Sequence, residues 1–173
     1  ARWPGKMLEI YGLTEGGGST ILSCTDFPTK LESVGVPAET ADIRLIDAEG
    51  NELAQGEIGE VVGRSQGMMA GYYKRQDLTD DMLWQSPEGI TFFRTGDMGR
   101  FDEDGFLFLL DRIKDMIISG GFNIYAADLE AVLTDHPDVA DIAVIGIPSD
   151  QWGETPLGLV VAEPGAKASA EDL

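Results

Sequence analysis

Basic side chains are scarce in this chain of 173 residues: 12 Lys and Arg stand against 31 Asp and Glu, a formal net charge of −19. A surface so acidic repels a phosphate backbone, and no local basic run offsets it, so nucleic acid is excluded as a partner. Cysteine is nearly absent. Cys24 stands alone and cannot form an internal disulfide, which fits a reducing compartment and an expected cytoplasmic location. One histidine and one cysteine give no zinc spacing, and His136, just before Pro137, reads as a cap or surface residue at a helix end. Long apolar runs are missing too. Phe106–Leu110 is among the longest, where a membrane span needs about 20 residues. The start also lacks the hydrophobic stretch of a signal peptide, so no integral membrane association is expected.

What is present suits a globular protein. Hydrophobic residues make up 43% of the chain, and its length allows one domain or two small ones. Met7–Tyr11 reads as a strand, followed by a loop and an irregular stretch to Cys24, because Gly16, Gly17 and Gly18 oppose a regular helix. From Val34 to Leu110 short strands alternate with turns. Ile43–Ile46 and Gly59–Gly63 flank the Glu49-Gly50-Asn51 turn, and Phe92–Arg94 pairs with Gly105–Leu109 through Asp102–Gly105. Met116–Ile118 and Phe122–Ile124 flank a Ser-Gly-Gly turn and predict a hairpin. Leu129, Val132 and Leu133 fall at helical spacing, and Ile142–Ile145 and Leu157–Val161 are strands around a loop holding Trp152. Trp84 and Trp152 read as packing residues, and Cys24 as a buried or idle thiol.

The expected fold class is α+β. It comprises the tail end of an α/β domain over residues 1–25, a β-rich, barrel-like subdomain over 26–113, and a small, incomplete α+β domain over 114–173. The chain opens on Ala1 and closes on Ser169–Leu173, which resembles a helix start that does not continue. Both ends read as those of a fragment.

Three strings carry the chemistry: Tyr11-Gly12-Leu13-Thr14-Glu15, then Arg94-Thr95-Gly96-Asp97, then Asp111-Arg112-Ile113-Lys114-Asp115 leading into Gly120-Gly121. They offer a hydroxyl and a carboxylate beside a glycine-rich turn, a second carboxylate in a turn, and a guanidinium after a strand. Such groups suit a phosphate with its metal and a pair of sugar hydroxyls. Taken singly, Thr14-Glu15 is an ordinary polar turn pair, Asp97 a turn residue after Gly96, and the 111–115 string a solvated charge cluster. Their order and co-occurrence argue otherwise.

In that order and spacing, with Gly56–Glu60 and Gly67–Tyr73 between the first two, the strings resemble the adenylate-forming superfamily over nearly the whole chain. Lys114–Ile117 followed by Gly-Gly-Phe-Asn-Ile-Tyr is most similar to its acyl- and aryl-CoA ligases. The resemblance implies an ATP-dependent acyl-CoA synthetase acting on a small carboxylic acid, with a fatty acid favoured. ATP and Mg²⁺ form the acyl-adenylate, and coenzyme A takes the acyl group.

It further implies that Tyr11 and Gly12 lie against the nucleotide, Tyr11 on adenine, and that Thr14 donates to the α-phosphate. Glu15 would help hold Mg²⁺, a hard cation that prefers carboxylate oxygen. Asp97 and Arg112 would hold the ribose. Lys114 would be the hinge between the half-reactions, and Gly120 and Gly121 the loop lining the thiol's passage. Gly16 and Gly17 would border the acyl pocket and leave room for a long or bulky acyl group. The family's phosphate loop and its adenylation lysine lie outside these residues, so the chain alone is expected to be inactive. Ala126 stands where relatives often carry Pro, and Asp111 where Gly is common. A homodimer is the assembly the resemblance allows. Two alternatives stay open: a domain loading a carrier-protein thiol, and a noncatalytic nucleotide- or partner-binding remnant.

Overall fold

The computed structural model describes residues 5–169, and the chain divides into two units, Ala1–Leu109 and Leu110–Leu173. In the first unit β1 (Leu8–Gly12) pairs antiparallel with β2 (Ser19–Ser23), and β3 (Val36–Pro37) adds a short third strand. β2 replaces the irregular stretch predicted before Cys24. The glycines end at Gly18, and beyond them Thr20 and Leu22 turn inward with no exposed surface. The Thr20 hydroxyl donates to the Val34 carbonyl at 2.5 Å, so the polar group the strand buries is satisfied.

The rest of the unit is a five-stranded sheet. β4 (Asp42–Ile46) and β5 (Gly59–Arg64) are followed by α1 (Gln76–Asp81), β6 (Leu83–Gln85), β7 (Thr91–Phe101) and β8 (Leu107–Arg112). The order is β4-β5-β7-β6, antiparallel throughout that path, with β8 also on β7. Successive side chains of a strand point to opposite faces, and the sheet is apolar on both. Ile46, Val62, Trp84 and Phe92 cluster on one side, and Leu45, Val61 and Leu107 on the other. β5 is buried from Gly59 to Gly63, as a strand covered on both faces must be. The six-residue α1 and the three-residue β6 are too short to carry a periodic signal in the sequence.

β7 is longer than the Phe92–Arg94 core predicted, because it continues straight through Arg94-Thr95-Gly96-Asp97. That string is therefore no turn between elements but an irregularity inside a strand. Glu60 faces Met98 and Val62 faces Arg94, so Val61 alone opposes Thr95, Gly96 and Asp97. Gly96 takes φ +76°, which lets the extra residues loop out of the ladder. β7 and β8 are joined through Asp102–Gly105 as the turn signals predict.

In the second unit the order is β9 (Ile117–Ser119), β10 (Phe122–Ile124), α2 (Ala126–Thr134), β11 (Val139–Ser149) and β12 (Gly153–Ala162), forming a sheet β10-β9-β12-β11. The expected hairpin, helix and strand pair are all present. α2 buries Ala126 and packs Leu129 against Ile117 and Val144, but Val132 is 73% exposed and does not share that face. Asp111 contributes to the helix start, since its Oδ2 accepts from the Ala127 N–H at 3.4 Å, near the positive end of the dipole. The helix start predicted over Ser169–Leu173 falls, from 170 onward, outside the described residues. Among those described, no helix is long and apolar enough to cross a membrane.

Candidate functional site

The first candidate group sits in the loop Leu13–Gly18, closed at its base by the Gly12–Ser19 pair of β1 and β2. Gly16 N–H donates to the Leu13 carbonyl at 3.1 Å, and Gly16 and Gly18 take φ +77° and +86°, conformations that favour glycine. The loop lies directly on backbone from β5 and the segment after it. A Cβ on Gly63 would sit 1.8 Å from the Gly17 carbonyl oxygen, and one on Gly16 would sit 2.3 Å from that of Gly67. Ser65 Oγ donates to the Gly16 carbonyl at 2.8 Å and Met69 N–H to that of Glu15 at 2.8 Å. The glycines are thus required by a close backbone crossing.

On this support Glu15 is held by both oxygens. Thr14 Oγ1 donates to Oε2 at 2.9 Å and the Tyr72 hydroxyl to Oε1 at 3.0 Å. The Thr14 bond first, then Glu15's own N–H and Tyr72, hold the carboxyl below the usual glutamate range against the opposing effect of burial. Burial, and then the Glu15 carboxylate, push the Tyr72 phenol up. Ile10, Thr14, Gly16, Gly18, Thr40 and Ser65 are among the residues around an adjoining cleft of about 430 Å³. Gly16 lines this cleft, whereas Gly17 packs on Phe93, where an added Cβ would lie 3.2 Å from the Phe93 Cβ and 3.5 Å from its ring Cδ1.

The second group follows from the irregularity in β7. Thr95 Oγ1 donates to the Val61 carbonyl at 2.9 Å and accepts from Asp97 N–H at 3.0 Å, which fixes the extruded turn. Asp97 Oδ2 then accepts from the Tyr11 hydroxyl at 2.6 Å. The Tyr11 ring meanwhile packs against the Leu45, Val61 and Leu107 cluster. The first unit therefore gathers Tyr11, Gly12, Thr14, Glu15, Gly16, Gly17 and Asp97.

The remaining predicted residues belong to the second unit. Arg112 ends β8, and its carbonyl accepts from the N–H groups of Asp115 and Met116, both at 3.0 Å, closing a turn around Lys114. Lys114 borders a cavity of about 430 Å³ with Asp115, Glu130 and Glu154. Gly120 and Gly121 form the two-residue turn of the β9–β10 hairpin with φ +59° and +85°, the double positive φ such turns demand.

Elsewhere the expectations for His136, Trp84 and Cys24 hold, whereas Trp152, read as a packing residue, is 51% exposed and lies outside the core. His136 Nδ1 accepts from the Asp138 N–H at 3.2 Å, a local cap, and Trp84 is buried with its Nε1 donating to the Gly50 carbonyl at 3.0 Å. Cys24 is a half-buried free thiol. No local sequence signal gives Tyr72, Ser65 or Thr95 a role of its own. Tyr72 falls in the Gly67–Tyr73 stretch, which was the available signal, but only the fold shows that its hydroxyl reaches Glu15.

Chemically, the first unit presents an ionised carboxylate flanked by hydroxyls, and a second carboxylate lifted out of a strand and steadied by a tyrosine. Such carboxylates can accept from ligand hydroxyls or offer oxygen to a hard cation. The AMP-binding enzyme family matches residues 1–73, and its C-terminal domain, the AMP-binding enzyme C-terminal domain, matches residues 128–173. The chain belongs to the AMP-binding enzyme family.

It is 38% identical over 172 residues to the fatty acid–[acyl-carrier-protein] ligase ScoC of Streptomyces coeruleorubidus, an alignment covering 97% of this chain and 32% of that protein. Among solved structures it resembles the amide bond synthetase McbA of Marinactinospora thermotolerans, at TM-score 0.79 and 38% identity, covering 95% of this chain and 33% of that one. It also resembles O-succinylbenzoate coenzyme A synthetase (MenE) of Bacillus subtilis in complex with ATP and magnesium, at TM-score 0.77 and 34% identity, covering 91% and 32%. The chain thus spans about a third of the length of these relatives.

Proposed function

We propose that the whole protein uses ATP to activate a carboxylic acid as an acyl-adenylate and passes the acyl group to a thiol, with coenzyme A as the first acceptor to test. The observation that carries this is the Thr14–Glu15–Tyr72 arrangement: a carboxylate kept ionised with each oxygen supported by a hydroxyl. Among the described residues no group of three or more His, Cys, Asp or Glu could hold a metal on its own. One ionised carboxylate fits Mg²⁺ nonetheless, because that ion is commonly held by one or two carboxylates together with substrate phosphates. Glu15 would hold it, and the ion would neutralise charge on the phosphates.

Thr14, turned about χ1 away from Glu15, donates to the α-phosphate. Asp97 accepts from ribose hydroxyls, since a carboxylate takes several donors. Arg112 supplies a fixed positive charge to the same nucleotide, and Lys114 takes the hinge role in the turn after β8. Gly120 and Gly121 border the acceptor's path, and Gly16 borders the acyl group. The protein is cytoplasmic under this proposal, and a homodimer is the assembly to seek by light scattering.

The test is pyrophosphate release with ATP, Mg²⁺ and acids from acetate to palmitate, with aryl acids added. The whole protein should release it, while Glu15→Gln and the 173-residue chain alone should not. No release from the whole protein with any acid overturns the proposal. ScoC favours one variant, transfer to a carrier-protein thiol, and a parallel assay with acyl-carrier protein in place of coenzyme A separates the two.

A further inference from the structure

The two glycines of the β9–β10 turn have different surroundings. A Cβ on Gly121 would meet nothing within 4 Å, whereas one on Gly120 would come within 2.8 Å of Trp152 Cε3. The indole therefore lies against the α-carbon of Gly120, and the Gly120 N–H donates to the Trp152 carbonyl at 2.8 Å. Beside it Ser119 pairs with Gly153, the one register position at which β9 meets β12. The amide one residue back, Ile118 N–H, is taken by a side chain: it donates to Glu154 Oε2 at 2.8 Å. The Glu154 carboxyl also lies close over Gly146 of β11, where a Cβ would stand 3.4 Å from the carboxyl carbon.

Trp152 is set in place by the turn between β11 and β12. Its N–H donates to Ser149 Oγ at 3.3 Å, and Gly153 takes φ +82° to bring the chain back into the sheet. The indole is 51% exposed and takes no part in the core of Ile117, Ala126 and Val144. A large aromatic outside the core and a carboxylate reaching between strands both converge on a three-residue strand with one ladder position. Short hairpins are marginal by themselves, so contacts of this kind decide where such a turn sits.

We propose that Trp152 and Glu154 are positioning residues that clamp the Gly120–Gly121 turn, the indole on Gly120 and the carboxylate on Ile118, so that the open backbone of Gly121 faces the incoming acceptor. The acceptor's part rests on the acyl-transfer proposal above; the clamp does not.

Hydrogen–deuterium exchange of the segment 116–124, followed by mass spectrometry in the whole protein, tests the clamp directly. Trp152→Ala should speed exchange there about tenfold, Trp152→Phe should restore most of the protection, and Glu154→Gln should fall between them. Unchanged exchange in Trp152→Ala overturns the clamp whatever the enzymology. The same variants are then assayed by half-reaction. ATP–pyrophosphate exchange should be unaltered in Trp152→Ala, while transfer from preformed adenylate to thiol drops about tenfold and recovers in Trp152→Phe. Faster deuterium exchange with undiminished transfer overturns the positioning role. If the unaltered protein catalyses no pyrophosphate exchange, the adenylation proposal fails, and the deuterium result still decides the clamp.

Discussion

The two units support their candidate residues in opposite ways. In the first, the loop carrying Thr14 and Glu15 rests on a sheet apolar on both faces, with Phe92, Phe93, Val62 and Leu107 almost fully buried beneath it. Backbone lies on backbone at Gly17 and Gly63, so site and core are one packed object. In the second, the buried core is Ile117, Ala126 and Val144, while Leu159 and Val161 on β12 are more than half exposed. Its glycine turn is held by a few directed contacts from a neighbouring turn. Substitutions around the first site should therefore cost the fold, and those around the second should cost local geometry.

The sharpest way to break this contrast is Gly63→Ala. Its Cβ would stand 1.8 Å from a carbonyl oxygen fixed in the loop, so backbone must move, at a cost of about 3 kcal/mol or more. In the second unit Leu159→Ala, at a position 52% exposed, should change stability by only about 0.5 kcal/mol. Urea denaturation of both variants checks the pair, and equal losses would erase the distinction.

Next in size is Arg94→Met. Glu60 is 6% exposed, and the Arg94 guanidinium donates to its carboxylate through both Nε and Nη2. Removing the guanidinium strands that carboxylate beside β7, an expected loss of about 2 kcal/mol read from thermal unfolding. Replacing both partners, with Glu60→Gln added, should recover part of it.

Smaller again is the difference between Gly120→Ala and Gly121→Ala. Each places a side chain at positive φ, costing about 1 kcal/mol. Only Gly120 also meets the indole, so its substitution should cost more and should loosen 116–124 further in deuterium exchange. Equal effects would mean that the indole bears no load on the turn.

How much of this was written in the sequence depends on range. The β9–β10 hairpin, α2 and the β11–β12 pair follow from local alternation and turn residues, and each formed where expected. β2 did not, because three glycines locally oppose a regular helix and read as an irregular stretch, while the pairing that orders Ser19–Ser23 comes from β1. Asp97 was readable as a candidate residue but not as a bulge, since that depends on Val61 facing three residues across the ladder. Tyr72 and Trp152 were out of reach for the same reason. Each acts on a residue distant in sequence, Tyr72 on Glu15 and Trp152 on Gly120, and no spacing rule predicts such a contact. The Gly16–Gly18 run shows the converse: the residues were legible and their reason was not, since it lies in the crossing with Gly63 and Gly67.

The smallest expected effect tests the site within the first unit. Glu15 is depressed in the folded state, so its contribution to stability is present above the ordinary glutamate range and is lost as pH falls through its folded value. Thr14 is the larger cause of that depression and Tyr72 the smaller hydroxyl contribution. Thr14→Val should therefore raise the Glu15 titration midpoint further than Tyr72→Phe, with both moving toward the ordinary range. The stability gap between either variant and the parent chain should be widest near neutral pH and narrow on acidification, because protonated Glu15 no longer draws on either hydroxyl. A carboxyl-carbon NMR titration of Glu15 in the three proteins reads the midpoints directly. If Tyr72→Phe moved the midpoint more than Thr14→Val, Tyr72 rather than the adjacent threonine would be the main support of the carboxylate. The segment after β5, which carries Tyr72, would then set the charge of the loop as well as its position.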